Sequence, residues 1–369
     1  LEHLLFKGTP TRSAADIAEA VDAVGGDMNA FTTKEYTAFY VRVLQESLDL
    51  GLDILCDVMR DPAFRQDEVE SERQVILEEI LMHADEPADL VHDRLVEQAF
   101  PTHPLGRDVL GEQDTIASMS IADIDGFFRH HYRPANMVLA LAGAVDHDQV
   151  VDTFGRRFEQ QPGGGAPPRS TPQDPPHVVS VTNRPTEQAH VVVGFTTPGR
   201  HDPDRFVLSV LDHVIGGGLS SRMFQEVRER RGLAYSVFSY RTSFDDAGLL
   251  AVYAGTAPSK AREVLDLMVL ELDRLLTDGI SERELAVAKG HIRGETTLAL
   301  EDSSARMSRI ARSLLLHGEV MAVEDVLARV DAVTVADLAR VAGEVLTAQP
   351  LLTVVGPFRQ DTFEPLRVA

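Results

Sequence analysis

The residues with the most chemical potential stand at the start of the chain. Glu2 and His3 are adjacent in text that reads as a helix, and Glu72 and Glu79 lie seven apart in Glu68-Val-Glu-Ser-Glu72-Arg-Gln-Val-Ile-Leu-Glu78-Glu79. A hydrolytic zinc needs about three His or carboxylate ligands, an open position for water and a nearby carboxylate to take the water's proton. An H-x-x-E-H helix would supply two ligands with a glutamate beside them, and only its last three positions, Leu1-Glu2-His3, fall within this sequence. Seven residues are two helical turns, so Glu72 and Glu79 share one flank of their helix. Taken alone, the ordinary readings are a Glu-His pair without a role and a solvated acidic face.

These residues need elements to hold them. Ser13-Ala-Ala-Asp16 reads as a capping box for a helix ending at Gly25-Gly26. The β-branched and aromatic text from Asp27 to Val43 predicts two strands joined near Lys34. Leu48, Leu52, Leu55 and Met59 recur at helical spacing. Further helices are predicted for Asp67 to His83, Pro87 to Phe100 and Ile121 to His131, then a strand over Met137 to Ala142.

The Gly/Pro-rich stretch 160–176 cannot sustain helix or ladder and reads as a linker. Beyond it the order repeats. Leu1-Glu2-His3 is echoed by Leu211-Asp212-His213, and Phe64-x3-Glu68 by Ile280-x3-Glu284. Ser120-Ile-Ala-Asp123, before a helix and a predicted strand, is echoed by Thr334-Val-Ala-Asp337. Repetition in the same order predicts an α+β chain of two homologous domains, each a mainly antiparallel sheet covered by helices on one face. The expected bounds are 1–159 for the metal-bearing half, 160–176 for the linker and 177–369 for a repeat half that clamps substrate. Ser209 occupies the first-histidine position of the echo, so the second copy cannot rebuild the same set.

Composition narrows the classes. The 369 residues carry a formal net charge of −23, which argues against a nucleic-acid partner because phosphate neutralisation needs a basic surface. The single Cys56 excludes an internal disulfide, and no apolar run approaches the roughly 20 residues of a membrane-spanning helix. Gly216-Gly-Gly218 lacks the spacing of a phosphate loop. Cys56 reads as a core residue, His130-His131 as a helix end and His103-Pro104 as a turn, while His83, one turn after Glu79, approaches the metal face without being needed as a ligand.

The sequence resembles the insulinase/pitrilysin-like inverzincin metallopeptidases, in the branch of the mitochondrial processing peptidases and their bacterial relatives. The family pattern places a ligand glutamate at a characteristic separation after the second histidine, within E-R-x-V-x-x-E-E. Glu79 stands at that separation from His3, within Glu72-Arg73-Gln74-Val75-Ile76-Leu77-Glu78-Glu79. The resemblance extends through Gly25-Gly-Asp-Met-Asn-Ala-Phe-Thr-Thr33, His103-Pro-Leu-Gly106 and Ser220–Ser236. It implies a zinc endopeptidase acting on peptides or unfolded presequence-like segments, with one Zn2+ per chain. His3 and Glu79 would be metal ligands, Glu2 the general base and Glu72 a carboxylate supporting the ligands. Asn29 and Ala30 would form the strand edge that pairs with an extended peptide, and Arg228 and Tyr235 would reach the substrate. The remaining histidine ligand is expected two residues before Leu1, within some tens of preceding residues. A homodimer is the simplest assembly and the cytoplasm the expected location, with the mitochondrial matrix as alternative. The rival reading is a catalytically silent scaffold or partner subunit of the same fold.

Overall fold

The computed structural model describes residues 1–158, 168–173, 175 and 178–368. The expected linker, 160–176, therefore lies mostly outside the described residues. In chain order the elements are α1 (Glu2–Leu5), α2 (Ala14–Asp22), β1 (Asp27–Thr32), β2 (Thr37–Arg42), α3 (Leu48–Arg60), α4 (Gln66–Ala84), α5 (Pro87–Ala99), α6 (Gln113–Ser118), α7 (Ile121–His131) and α8 (His147–Phe158). They continue with β3 (Val179–Asn183), β4 (Ala189–Thr197), α9 (Arg205–Ile215), β5 (Ala234–Ser243), β6 (Gly248–Thr256), α10 (Ala261–Thr277), α11 (Glu282–Ala299), α12 (Ser303–His317), α13 (Val323–Ala332), α14 (Val335–Leu346) and β7 (Leu351–Gly356). The class is α+β. Contacts divide the chain into two compact units, one of Leu1–Leu81, Val109–Arg169 and Ala299–Val320, the other of Met82–Asp108, Ser170–Leu298 and Met321–Ala369.

In the first unit the local signals operate as the sequence predicts. The Ser13 and Ser120 hydroxyls accept from the backbone N–H of Asp16 and Asp123, whose carboxylates reach back to the cap N–H, so both α2 and α7 start on capping boxes. Gly25, at a φ of +60°, turns the chain out of α2 at little steric cost. β1 and β2 pair antiparallel from Asp27 opposite Arg42 to Thr32 opposite Thr37. The core is Leu4, Leu5, Ile17, Val21, Ile54, Val58, Phe64, Val69, Ile124 and Phe128. Phe64 has a φ of +41°, a strained setting for a bulky residue, and is held there edge-on against Phe128 at 5.6 Å just before α4 begins.

One predicted element does not form. Met137–Ala142 is not a strand: Met137 is extended (φ −116°, ψ 145°), but β1 and β2 pair only with each other, and no ladder reaches this segment among the described residues. β-branched and apolar composition favours extension, yet a strand exists only with a partner for its hydrogen bonds.

The second unit is built on a five-stranded sheet of order β3-β7-β4-β6-β5, antiparallel except for the β3–β7 pair. One face presents Val191, Val193, Phe195, Leu250, Val252 and Ala254 to α9, α10 and α14. The other presents Val192, Leu249, Ala251 and Tyr253 to Leu90, Val91 and Leu95 of α5. Burial on both faces explains why β4 and β6 are nearly continuous apolar runs. Gly194 lets α5 come close, since a Cβ there would meet Leu95 Cδ1 at 2.7 Å.

Candidate metal centre

Helix α1 is a single turn, too short to hold itself together in water. It is fixed by Leu4 and Leu5, which are buried at 6% and 0% exposure and contribute about 1.5–3 kcal/mol each by leaving water. Their burial turns Glu2 and His3 to the other side of the turn. His3 Nδ1 lies 2.8 Å from Glu72 Oε2, and Lys7 Nζ lies 2.6 Å from Glu72 Oε1. Glu72 is itself buried. Burial opposes its ionisation, but the Lys7 ammonium and the His3 imidazole together hold its carboxyl below the ordinary range. Nothing in the local sequence singles out Lys7, because its partner lies on a distant helix.

With Glu72 ionised, His3 Nδ1–H donates to it. That fixes the tautomer and leaves Nε2 as the lone-pair nitrogen, with no hydrogen-bond partner among the described residues. The rotation of α4 that aims Glu72 inward is set partly by the next residue. Arg73 donates to the carbonyls of Ile116 and Met119, the latter at 2.8 Å, and so ties α4 to the far end of α6. Glu79 lies two turns beyond Glu72 on the same flank, about 10.5 Å along the axis. It is half-buried, with no side-chain hydrogen bond or ion pair among the described residues. His83, one turn further, pairs instead with Asp93.

Glu2 Oε2 accepts from the Thr32 hydroxyl at 2.5 Å. Thr32 faces Thr37 across the hairpin, their hydroxyls 3.3 Å apart, and burial pushes up the phenol of nearby Tyr132. Asn29 and Ala30 lie on the same strand as Thr32, opposite Tyr40 and Phe39. The Ala30 N–H is taken by the Asn29 side-chain oxygen at 2.8 Å. Sequence reading does not single out Thr32, Thr37 or Tyr132, although threonines facing each other at the end of a predicted hairpin are a usable signal.

Arg228 and Tyr235 come together in the second unit. Arg228 sits on a π-helical turn, Phe224–Glu229, and its guanidinium lies 4.6 Å over the Tyr235 ring and 4.8 Å over Phe224. The register of β5 shifts between Ala234 and Ser236, so Tyr235 is the extra residue of a β-bulge. The bulge projects it outward, 80% exposed.

The echo in the second unit has become structural. Asp212, at the position of Glu2, is half-buried, desolvation pushes its carboxyl up, and it accepts from the Ser239 hydroxyl at 2.6 Å. His213 stacks on His291 with centroids 4.2 Å apart and is wrapped by Gly217 and Gly218. Cys56 is buried in α3 and burial pushes its thiol up to about 11, the signature of a core residue. His103 caps the turn at Pro104–Gly106, and His130 and His131 close α7.

The donor chemistry fits zinc. A carboxylate-oriented imidazole and a carboxylate without other partners among the described residues are borderline-soft and hard ligands of the kind zinc takes, and a buried carboxylate behind the histidine is the usual support for such a ligand. Among the described residues no helix is long and apolar enough to cross a membrane.

Residues 1–113 match the family model described as insulinase, peptidase family M16, and residues 118–291 match that described as the peptidase M16 inactive domain. Over 368 residues the chain is 46% identical to an uncharacterized zinc protease of Streptomyces coelicolor, covering 97% of this chain and 80% of the relative. It is 44% identical over 362 residues to one of Mycobacterium tuberculosis (97% and 83% covered) and 36% identical over 358 residues to one of Bacillus subtilis (97% and 87%). In fold it is similar to a solved peptidase M16 inactive domain from Pseudomonas fluorescens, with a TM-score of 0.90 at 20% identity over 99% of this chain and 88% of that one. It is also similar to a protease from Helicobacter pylori, with a TM-score of 0.87 at 24% identity over 96% and 88%.

Proposed function

This chain belongs to the insulinase family of peptidases, M16, and from that membership we propose that it is a zinc-dependent endopeptidase cleaving peptides or unfolded, presequence-like segments. The observation that carries the reading is the His3–Glu72 hydrogen bond. It aims the imidazole's free nitrogen, with Glu2 on the same helical turn and Glu79 two turns along α4 from Glu72.

His3 and Glu79 would hold the metal, one per chain, together with a histidine two residues before Leu1. Zinc, when bound, supplies Lewis acidity toward water and the scissile carbonyl. Glu2 takes the water's proton on Oε1, because Oε2 is engaged by Thr32, and then delivers it to the leaving amine. The β1 edge at Asn29 and Ala30 receives the peptide as an added strand, which takes over the Ala30 N–H from the Asn29 side chain. Such pairing reads backbone and selects unfolded segments. Half-buried Arg228 and exposed Tyr235 offer the peptide a guanidinium–phenol pair. The net charge of −23 favours cationic peptides on encounter. The working assembly in this proposal is a cytoplasmic homodimer.

The test is zinc content and hydrolysis of an unfolded cationic peptide by the full-length protein, beside a Glu79→Gln variant. One zinc per chain, lost together with hydrolysis in the variant, supports the reading. Zinc-free protein without hydrolysis turns it toward the silent scaffold or partner subunit, and hydrolysis that survives chelation rules out the metal-dependent mechanism.

A further inference from the structure

The base of the proposed reaction is held by a residue of another element. Glu2 stands on a helix of one turn, and an exposed or half-exposed glutamate left to itself samples several rotamers. Here Oε2 is fixed by the Thr32 hydroxyl at 2.5 Å. Thr32 is the last residue of β1 and is backed by Thr37 at 3.3 Å. The Thr32 hydroxyl has one proton to give, so donation to Glu2 polarises the row in one direction, away from Thr37.

We propose that Thr32 is a positioning residue that holds the Glu2 carboxylate with one oxygen engaged and the other presented to the attacking water. This inference rests on the peptidase reading. Thr32 follows Asn29 and Ala30 on the strand that would accept the peptide. A peptide that pairs along β1 therefore stiffens the backbone carrying the residue that aims the base, so that substrate occupancy and base orientation share one strand. A structural role alone would predict a buried threonine whose loss damages the fold, whereas Thr32 is exposed.

The experiment compares Thr32→Val, Thr32→Ser and wild-type full-length protein for zinc content, kcat and KM on one unfolded peptide. Valine keeps the β-branched shape and removes the donor; serine keeps the donor. The expected result is a kcat about tenfold or more lower in Thr32→Val, with KM within about twofold and zinc unchanged, and recovery of most of the loss in Thr32→Ser. Unchanged kcat in Thr32→Val overturns the inference, as does an equal loss in both variants or loss of zinc. Thr37→Val supplies a second probe in a neighbour that makes no hydrogen bond to Glu2, where a smaller loss of kcat is expected; a loss exceeding that of Thr32→Val would also overturn the assignment. Failure of the peptidase reading is distinguishable, because wild-type protein would then show no zinc-dependent hydrolysis in the same assay.

Discussion

His3 Nδ1 and Glu72 Oε2 lie 2.8 Å apart, and the other oxygen of the same carboxylate is held by Lys7 at 2.6 Å. One buried carboxylate thus answers both an imidazole and an ammonium from the start of the chain, and the proposed ligand is oriented before any metal arrives. Glu72→Gln is expected to weaken zinc binding about 10–100-fold, the usual cost of losing a carboxylate behind a ligating histidine. Competition against a chromophoric chelator measures it. Unchanged affinity would remove Glu72 from the site.

Glu2→Gln keeps the shape and an oxygen for the Thr32 hydroxyl but cannot take a proton. It is expected to retain one zinc per chain and to lose about 10²–10⁴-fold in kcat. Peptide hydrolysis at the wild-type rate by the zinc-loaded variant would refute Glu2 as the base.

Tyr235→Phe preserves the ring beneath the Arg228 guanidinium and deletes only the hydroxyl. Since the residue is 80% exposed on a bulge, stability should stay within about 0.5 kcal/mol of wild type, while kcat/KM for an unfolded peptide falls. Tyr235→Ala should fall further, because the stack with Arg228 goes as well. Equal activity of the Phe variant and wild type would show that the phenol oxygen has no part in turnover.

The second unit should lose stability on mild acidification. Burial lowers His190 and His213 below the ordinary imidazole value, with the neighbouring His291 also acting on His213. Below about pH 6.5 the unfolded chain therefore binds more protons at these two residues than the folded chain. Stability is fully present above that pH and declines as pH falls through the lowered folded values. His83, raised by its hydrogen bond to Asp93, acts with the opposite sign. The informative quantity is thus a difference: the urea midpoint of His190→Gln should change less between pH 7.5 and 5.5 than that of wild type. A variant with the same or a steeper acid loss would contradict the assignment.

Much of the local structure is legible because its causes are local. The pairs Ser13/Asp16, Ser120/Asp123 and Thr334/Asp337 share one spacing, so the reciprocal hydrogen bonds that start α2, α7 and α14 follow from side-chain reach. The β1–β2 hairpin follows from β-branched text around a short turn, and α4 from its helical spacing. Met137–Ala142 departs from expectation for the complementary reason: its composition favours extension, and composition does not provide a neighbouring strand.

The sequence by itself determined which residue types were available for chemistry and how far apart they stood: Glu2 beside His3, and Glu72 and Glu79 two turns apart on one helical flank. Tertiary structure decided their partners. The side of α4 that faces inward depends on Val69 entering the core and on Arg73 reaching the distant carbonyls of Ile116 and Met119. Only packing brought Thr32 onto Glu2 and Lys7 onto Glu72, put Tyr235 on a bulge, and laid α5 against the second sheet. An apolar stripe or a lone hydroxyl can satisfy many partners equally well. The choice among them is a property of the whole folded chain, because burial and hydrogen-bond satisfaction are settled jointly across segments distant in sequence.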